Sequence, residues 1–184
     1  METRLSSVEK KRLLEIAREA IVACIESSPA PPQREEKQQR LQQKRGCFVC
    51  VKIDGKLRGC IGNFTADKPL YLMVQEMAVS AATKDPRFYP MRKHDLASFD
   101  LEISVLTPLK KISDIDEIKV GVHGLYIEKN FSRGVLLPQV AVEYGWDRDT
   151  FLDQTSMKAG LQADAWKEGA DIYIFSAEVF NEAP

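Results

Sequence analysis

The sequence lacks an excess of charge of either sign. Its 26 basic and 27 acidic residues leave a net charge of −1, so no global positive field draws the chain to nucleic acid. It lacks any apolar run near the roughly 20 residues that span a bilayer. Met1-Glu2-Thr3-Arg4 opens without the apolar region of a signal peptide. The setting expected from these absences is the cytoplasm, where thiols stay reduced. Cysteine is sparse, at Cys24, Cys47, Cys50 and Cys60, and the four are read as thiols rather than a disulfide framework. Cys47-Phe48-Val49-Cys50 has CxxC spacing, but on a strand positions three apart face opposite ways. No second CxxC completes a zinc set, so no metal site is expected. A Walker loop, a GxGxxG turn, a Ser/His/Asp elbow and an HExxH helix are all missing, which argues against the familiar nucleotide, dinucleotide and hydrolase chemistries. The 44% hydrophobic content is that of a globular protein.

What is present centres on Leu57-Arg58-Gly59-Cys60-Ile61-Gly62. It follows a strand-like run, Cys47 to Ile53, and an Asp54-Gly55 dipeptide. Asp-Gly between two such runs signals a two-residue hairpin, because a type I′ turn needs positive φ at both central positions. A regular hairpin would set Ile53 opposite Lys56, Val51 opposite Arg58 and Val49 opposite Cys60. Alternation would then place Leu57 and Ile61 on the face of Phe48, with Arg58 and Cys60 together on the other. Gly59 between them would admit another backbone or a ligand.

Around this hairpin the pattern is helix and strand in no βαβ rhythm. Ser6 to Ser27 reads as an amphipathic helix with a Ser6/Glu9 capping box and Cys24 on its apolar stripe. Residues 29–46 read as a solvated connection, extended at Pro31-Pro32, and 47–184 as the core. Asp67 is placed to cap a helix reaching Thr83. Asp100 to Leu106 alternates as a half-buried strand. Val120 to Glu128 and Gly134 to Leu137 form a second hairpin. Pro138 opens a helix ending near Gly145, Asp147 caps another ending at Gly160, and Asp171 to Phe180 is one last strand. Strands joined as hairpins with helices between them predict an α+β fold with a largely antiparallel sheet.

Cys60 is the first chemical candidate. Thiolate is the nucleophilic form of cysteine, and a nearby guanidinium favours it. Arg58 can supply that cation or grip a carboxylate or phosphate. The alternative is that Cys60 only packs against Val49. His123, between Gly121 and Gly124, is a candidate general base or a turn residue. Asp85-Pro86-Arg87-Phe88 is a stiff loop. In it Arg87 is either a second cation near Arg58 or the partner of Asp85.

The hexapeptide, with Asp85-Pro86-Arg87-Phe88 and Leu136-Leu137-Pro138-Gln139-Val140 downstream, resembles the AMMECR1 family. The resemblance runs from about Cys47 to the C-terminus. It implies an α+β domain with a large and a smaller subdomain around a groove beside the hairpin. It also adds Gln139 and Lys158, which lie in matching segments, and supports site roles for Asp85 and Arg87. Ser156 stands where the resemblance implies that family members often carry a second cysteine, which argues against a two-cysteine mechanism for this protein. Relatives occur with, or fused to, Memo-like and radical-SAM proteins, implying a shared pathway. The expected function is an enzyme or enzyme component binding a small anionic or carbonyl-bearing substrate, with Cys60 catalytic and Arg58, Gly59, Asp85, Arg87, Gln139, His123 and Lys158 in contact with substrate. The competing reading is a non-catalytic adaptor or regulatory module; nucleic-acid binding ranks below both.

Overall fold

The computed structural model describes residues 4–29 and 35–182. The expectations for the first three residues and for Pro31-Pro32 lie outside the described residues. The chain divides into two units. One is built from the chain up to Leu106 and again from Glu178, the other from Thr107–Ala177.

The first unit opens with helix α1, Ser7–Ile25, started by the expected capping box between Ser6 and Glu9. Strands β1, Cys47–Ile53, and β2, Lys56–Asn63, follow, then helix α2, Leu70–Thr83, and strand β3, Phe99–Leu106. With strand β8, Ala177–Asn181, they form a sheet of order β2-β1-β3-β8. Val49, Val51, Leu101 and Ile103 face Leu13, Ile21, Met73 and Ala78 of the two helices in one core. Each such side chain contributes about 1.5–3 kcal/mol by leaving water. The second unit carries β4, Lys110–Ile112, β5, Gly124–Lys129, and β6, Ser132–Leu136. Helices α3, Pro138–Glu143, and α4, Arg148–Lys158, come next, and strand β7, Asp171–Phe175, completes it. Its sheet has the order β4-β7-β5-β6, and Phe151 and Leu152 of α4 pack with Leu125 and Ile127. The α+β class with antiparallel pairing is what the hairpin pattern predicted.

Four expectations are corrected. The final strand is two: the run breaks at Ser176, and β7 and β8 belong to different sheets. Ser176 spends its backbone on Thr107, whose N–H it accepts and whose hydroxyl receives its own N–H. The described part of the 29–46 segment is anchored to the first unit at Leu41 and Arg45 rather than solvated throughout. Leu41 is fully buried. Arg45, with a side chain only 1% exposed, donates to the Leu106 carbonyl at 2.9 Å and pairs with Glu178. Asp67 does not cap α2. The first free N–H groups of the helix, on Leu70 and Tyr71, donate instead to the carbonyls of Gln43 and Leu41, so that same segment caps it. Finally, Cys24 is exposed; among the described residues nothing covers the last turn of α1 at that position. No helix of the described residues is long and apolar enough to cross a membrane.

Candidate functional site

The hairpin turn is as expected, with Asp54 at φ 50° and Gly55 at φ 72°. Ile53 pairs with Lys56 and Lys52 with Leu57, but Val51 then pairs with Gly59. Arg58 is therefore a bulge, one residue out of the ladder. Everything beyond it shifts by one: Cys50 faces Cys60, Val49 faces Ile61 and Phe48 faces Gly62. A one-residue slip exchanges the faces. Val49, Val51, Gly59 and Ile61 look into the core, while Phe48, Cys50, Cys60 and Gly62 share the outer face. This corrects the regular-hairpin register, in which Phe48 lay opposite in face to Cys60. It also corrects the reading of all four cysteines as thiols. Cys50 and Cys60 are joined as a disulfide, with Cα atoms 4.0 Å apart, the close approach of a non-hydrogen-bonded cross-strand pair. Cys24 and Cys47 are free. Burial pushes the Cys47 thiol up to about 12.

Because β2 is an edge strand, the N–H and C=O of Cys60 point away from β1 and need partners elsewhere. The Asp85-Pro86-Arg87-Phe88 loop supplies them. The Asp85 carboxylate, its side chain 2% exposed, accepts the Cys60 N–H at 2.8 Å. It also accepts the backbone N–H of Arg87 at 3.1 Å and its Nε and Nη2 at 3.0 and 2.7 Å. Arg87 Nη2 reaches on to the Cys60 carbonyl at 3.4 Å, and its guanidinium lies by the Phe88 ring. These bonds hold the Asp85 carboxyl well below the usual carboxylate range. The Arg87 side chain contributes most, against the opposing effect of burial. Arg87 is thus the partner of Asp85 and a clamp on Cys60, with more than half its side chain still exposed. The backbone that Gly59 admits is that of α2: a Cβ there would stand 1.9 Å from the Ala81 carbonyl oxygen.

Cys60, Asp85 and Arg87 are accordingly brought together in the first unit, with Gly59 next to Cys60 and Arg58 in the bulge before it. The other three candidates lie in the second. His123 accepts the Lys119 N–H on Nδ1 at 3.2 Å, a turn role, and burial first of all pushes its pKa down. Gln139 is exposed near the start of α3, a helix of only 6 residues. Lys158 ends α4, where a cation suits the helix dipole. Sequence reasoning missed Cys50 as the partner of Cys60, and Glu102. Glu102 stands across β1 from Cys50 on β3 and pairs with Lys52 at 2.8 Å. Only the bulge at Arg58 could have signalled the first, and a bulge leaves no composition cue. Ser156 is fully buried in α4, and its hydroxyl has no hydrogen-bond partner among the described residues.

Comparison with known proteins places this site in a family. A protein of Methanothermobacter thermautotrophicus is 43% identical over 185 residues, covering 97% of this chain and 96% of that one. Protein MK0488 of Methanopyrus kandleri is 43% identical, covering 99% and 92%. The crystal structure of the uncharacterized protein PH0010 from Pyrococcus horikoshii superposes with a TM-score of 0.77 at 37% identity, covering 93% of this chain and 90% of that one. The AMMECR1 family model matches residues 14–180, which span the hairpin, the clamp loop and both sheets, and the chain belongs to the AMMECR1 family.

Proposed function

We propose that the protein binds a small anionic or carbonyl-bearing molecule beside Arg58 and Cys60, as an enzyme or enzyme component whose reacting group is the Cys60 thiol of the reduced protein. The observation that carries this reading is the use made of Asp85. A nearly sealed carboxylate and an arginine fix the backbone of one residue, and that residue is half-buried on the outer face, not sealed in the core. Positioning a reactive side chain is what such support accomplishes. Arg58, lifted out of the ladder next to Gly59, is the cation available to an anionic substrate. In this reading the protein works in the cytoplasm, in one pathway with Memo-like and radical-SAM proteins. A second reading, a non-catalytic module in which Arg58 holds an anionic group of a partner, is favoured by the Cys50–Cys60 bond, which occupies the thiol.

The test is calorimetric titration of the reduced protein with phosphate monoesters, small carboxylates and 2-oxo acids. Losing one charged donor costs about 1.5–3 kcal/mol. Arg58→Ala should therefore weaken binding about 10- to 100-fold while barely moving the melting temperature. Cys60→Ser should keep binding and lose any turnover. Equal binding by Arg58→Ala and the parent refutes the site. Turnover that survives in Cys60→Ser refutes Cys60 as the reacting group, and binding without turnover anywhere in the panel favours the module.

A further inference from the structure

The cysteine pair carries a chemistry of its own. We propose that Cys50 and Cys60 are a working dithiol–disulfide couple that exchanges with low-molecular-weight disulfides, Cys60 forming the mixed disulfide and Cys50 resolving it. This stands apart from the small-molecule site above, since it is read with thiol probes alone.

The first argument is position. The two cysteines are 10 residues apart on either side of a tight turn. The ladder pairs residues both toward the turn and beyond the cysteines. A bond that closes so short a loop stabilises a fold least, and backbone pairing already closes this one. The second is access. Both cysteines are half-buried on the outer face of an edge hairpin, whereas Cys47 is fully buried in the core. The third is asymmetry. Cys60 has the Asp85 carboxylate on its N–H, but Arg87 pairs with that carboxylate and reaches the Cys60 carbonyl; Cys50 has Glu102 across from it, paired in turn with Lys52. The two paired carboxylates offset one another, Arg58 two residues before Cys60 is the additional cation, and cations favour thiolate, so Cys60 is the attacking sulfur. The fourth is that the partners of Cys60 do not depend on the bond. Asp85 and Arg87 hold its N–H and C=O, so the thiols remain neighbours when the disulfide opens.

In the reduced protein the Cys60 thiolate attacks one sulfur of R–S–S–R. That bond breaks and R–S⁻ leaves, taking up the proton that Cys60 had released. Deprotonated Cys50 then attacks Cys60 Sγ, the S–S bond between Cys60 Sγ and the sulfur of the R–S group breaks, and the second R–S⁻ leaves and takes up the proton of Cys50. Two cysteine thiols are oxidised by two electrons and one small disulfide is reduced to two thiols. An excess of small thiol drives the same steps backward.

The experiment uses the full chain in a Cys24→Ser background, reduced, desalted and mixed with glutathione disulfide at neutral pH. It is quenched with N-ethylmaleimide and read by intact and peptide mass. The parent should lose two hydrogens as the internal bond forms, with no lasting adduct and Cys47 untouched, and excess dithiothreitol should restore both thiols. Cys50→Ser should accumulate one glutathione on Cys60. Cys60→Ser should be modified at Cys50 about tenfold more slowly or worse. Circular dichroism should show one folded spectrum for the oxidised and reduced forms. The proposal is overturned if the native disulfide resists excess dithiothreitol, if the reduced pair ignores glutathione disulfide, if Cys50 is the faster sulfur, or if reduction unfolds the protein, which would make the bond a staple.

Discussion

Replacing Asp85 tests whether the loop is a clamp on Cys60 or a bystander. Asp85→Ala removes four hydrogen bonds at once: one from Cys60 and three from Arg87. Arg87 is more than half exposed, so water can replace most of what it loses and its share is small. The Cys60 N–H is different. It belongs to a half-buried edge residue and faced a charged acceptor at 2.8 Å. Leaving it unpaired costs about 1–3 kcal/mol. With the release of the loop, the total loss should be about 2–4 kcal/mol, read as a lower urea midpoint at unchanged slope. Amide exchange should localise it, with Cys60 losing protection more than its neighbours in β2. The pH dependence follows from the direction of the shift. The folded carboxyl sits below its usual range, so its stabilisation is complete above the unfolded value of about 3.9 and is lost as pH falls through the folded one. The stability gap between the parent and Asp85→Asn should therefore be flat from about pH 8 to 5 and close below about pH 4. A gap that does not narrow at all below about pH 4, or an Asp85→Ala variant as stable as the parent, refutes the clamp.

Two further outcomes follow from packing. Gly59→Ala puts a Cβ 1.9 Å from the Ala81 carbonyl oxygen, a backbone atom that can yield only if α2 and β2 separate. It should cost about 3 kcal/mol or more, and a melting temperature equal to the parent's would show the approach is not as tight as described. Ser156→Ala removes a fully buried hydroxyl with no partner among the described residues; because such a group carries its desolvation cost unrepaid, the variant should be as stable as the parent or up to about 1–2 kcal/mol more so, and a clear loss in the urea midpoint would reveal a partner for that hydroxyl.

What the sequence made legible was local. The Asp54-Gly55 turn follows from backbone preferences of two residues, and both adopt positive φ. The capping box at Ser6 and the cap at Asp147, which accepts the Thr150 N–H at 2.8 Å, are likewise settled within three residues. The errors lie where distant groups compete. Asp67 is a plausible cap by spacing, but carbonyls of Gln43 and Leu41 reach the helix first. The 35–46 stretch is polar by composition. Yet Leu41 and the paired Arg45 are buried within it, since burial depends on what lies opposite. In the site, Asp85 and Arg87 were legible as a stiff polar loop and Cys60 as a candidate. The bond from Asp85 to the Cys60 N–H spans 25 residues and leaves no mark in either segment. The register of the hairpin failed for the smallest reason, a single extra residue.

That extra residue separates two functions within one motif. Without Arg58, a two-residue turn would run Lys52 to Leu57, Val51 to Gly59 and Cys50 to Cys60 in regular alternation, the same pairings that are observed. The facing cysteines, the core-facing Ile61 and the close approach of Gly59 to α2 thus owe nothing to Arg58. They need only its exclusion from the ladder. What the bulge adds is an arginine two residues before Cys60 on an edge strand, free of the inward-outward alternation that governs its neighbours. A residue with no part in the pairing has been inserted where it interrupts pairing, at the point where β2 is held by a buried carboxylate a few ångströms away. Bulges aim side chains, and here the side chain aimed is the cation that both proposed chemistries require: to grip an anion in one, and to favour the Cys60 thiolate in the other.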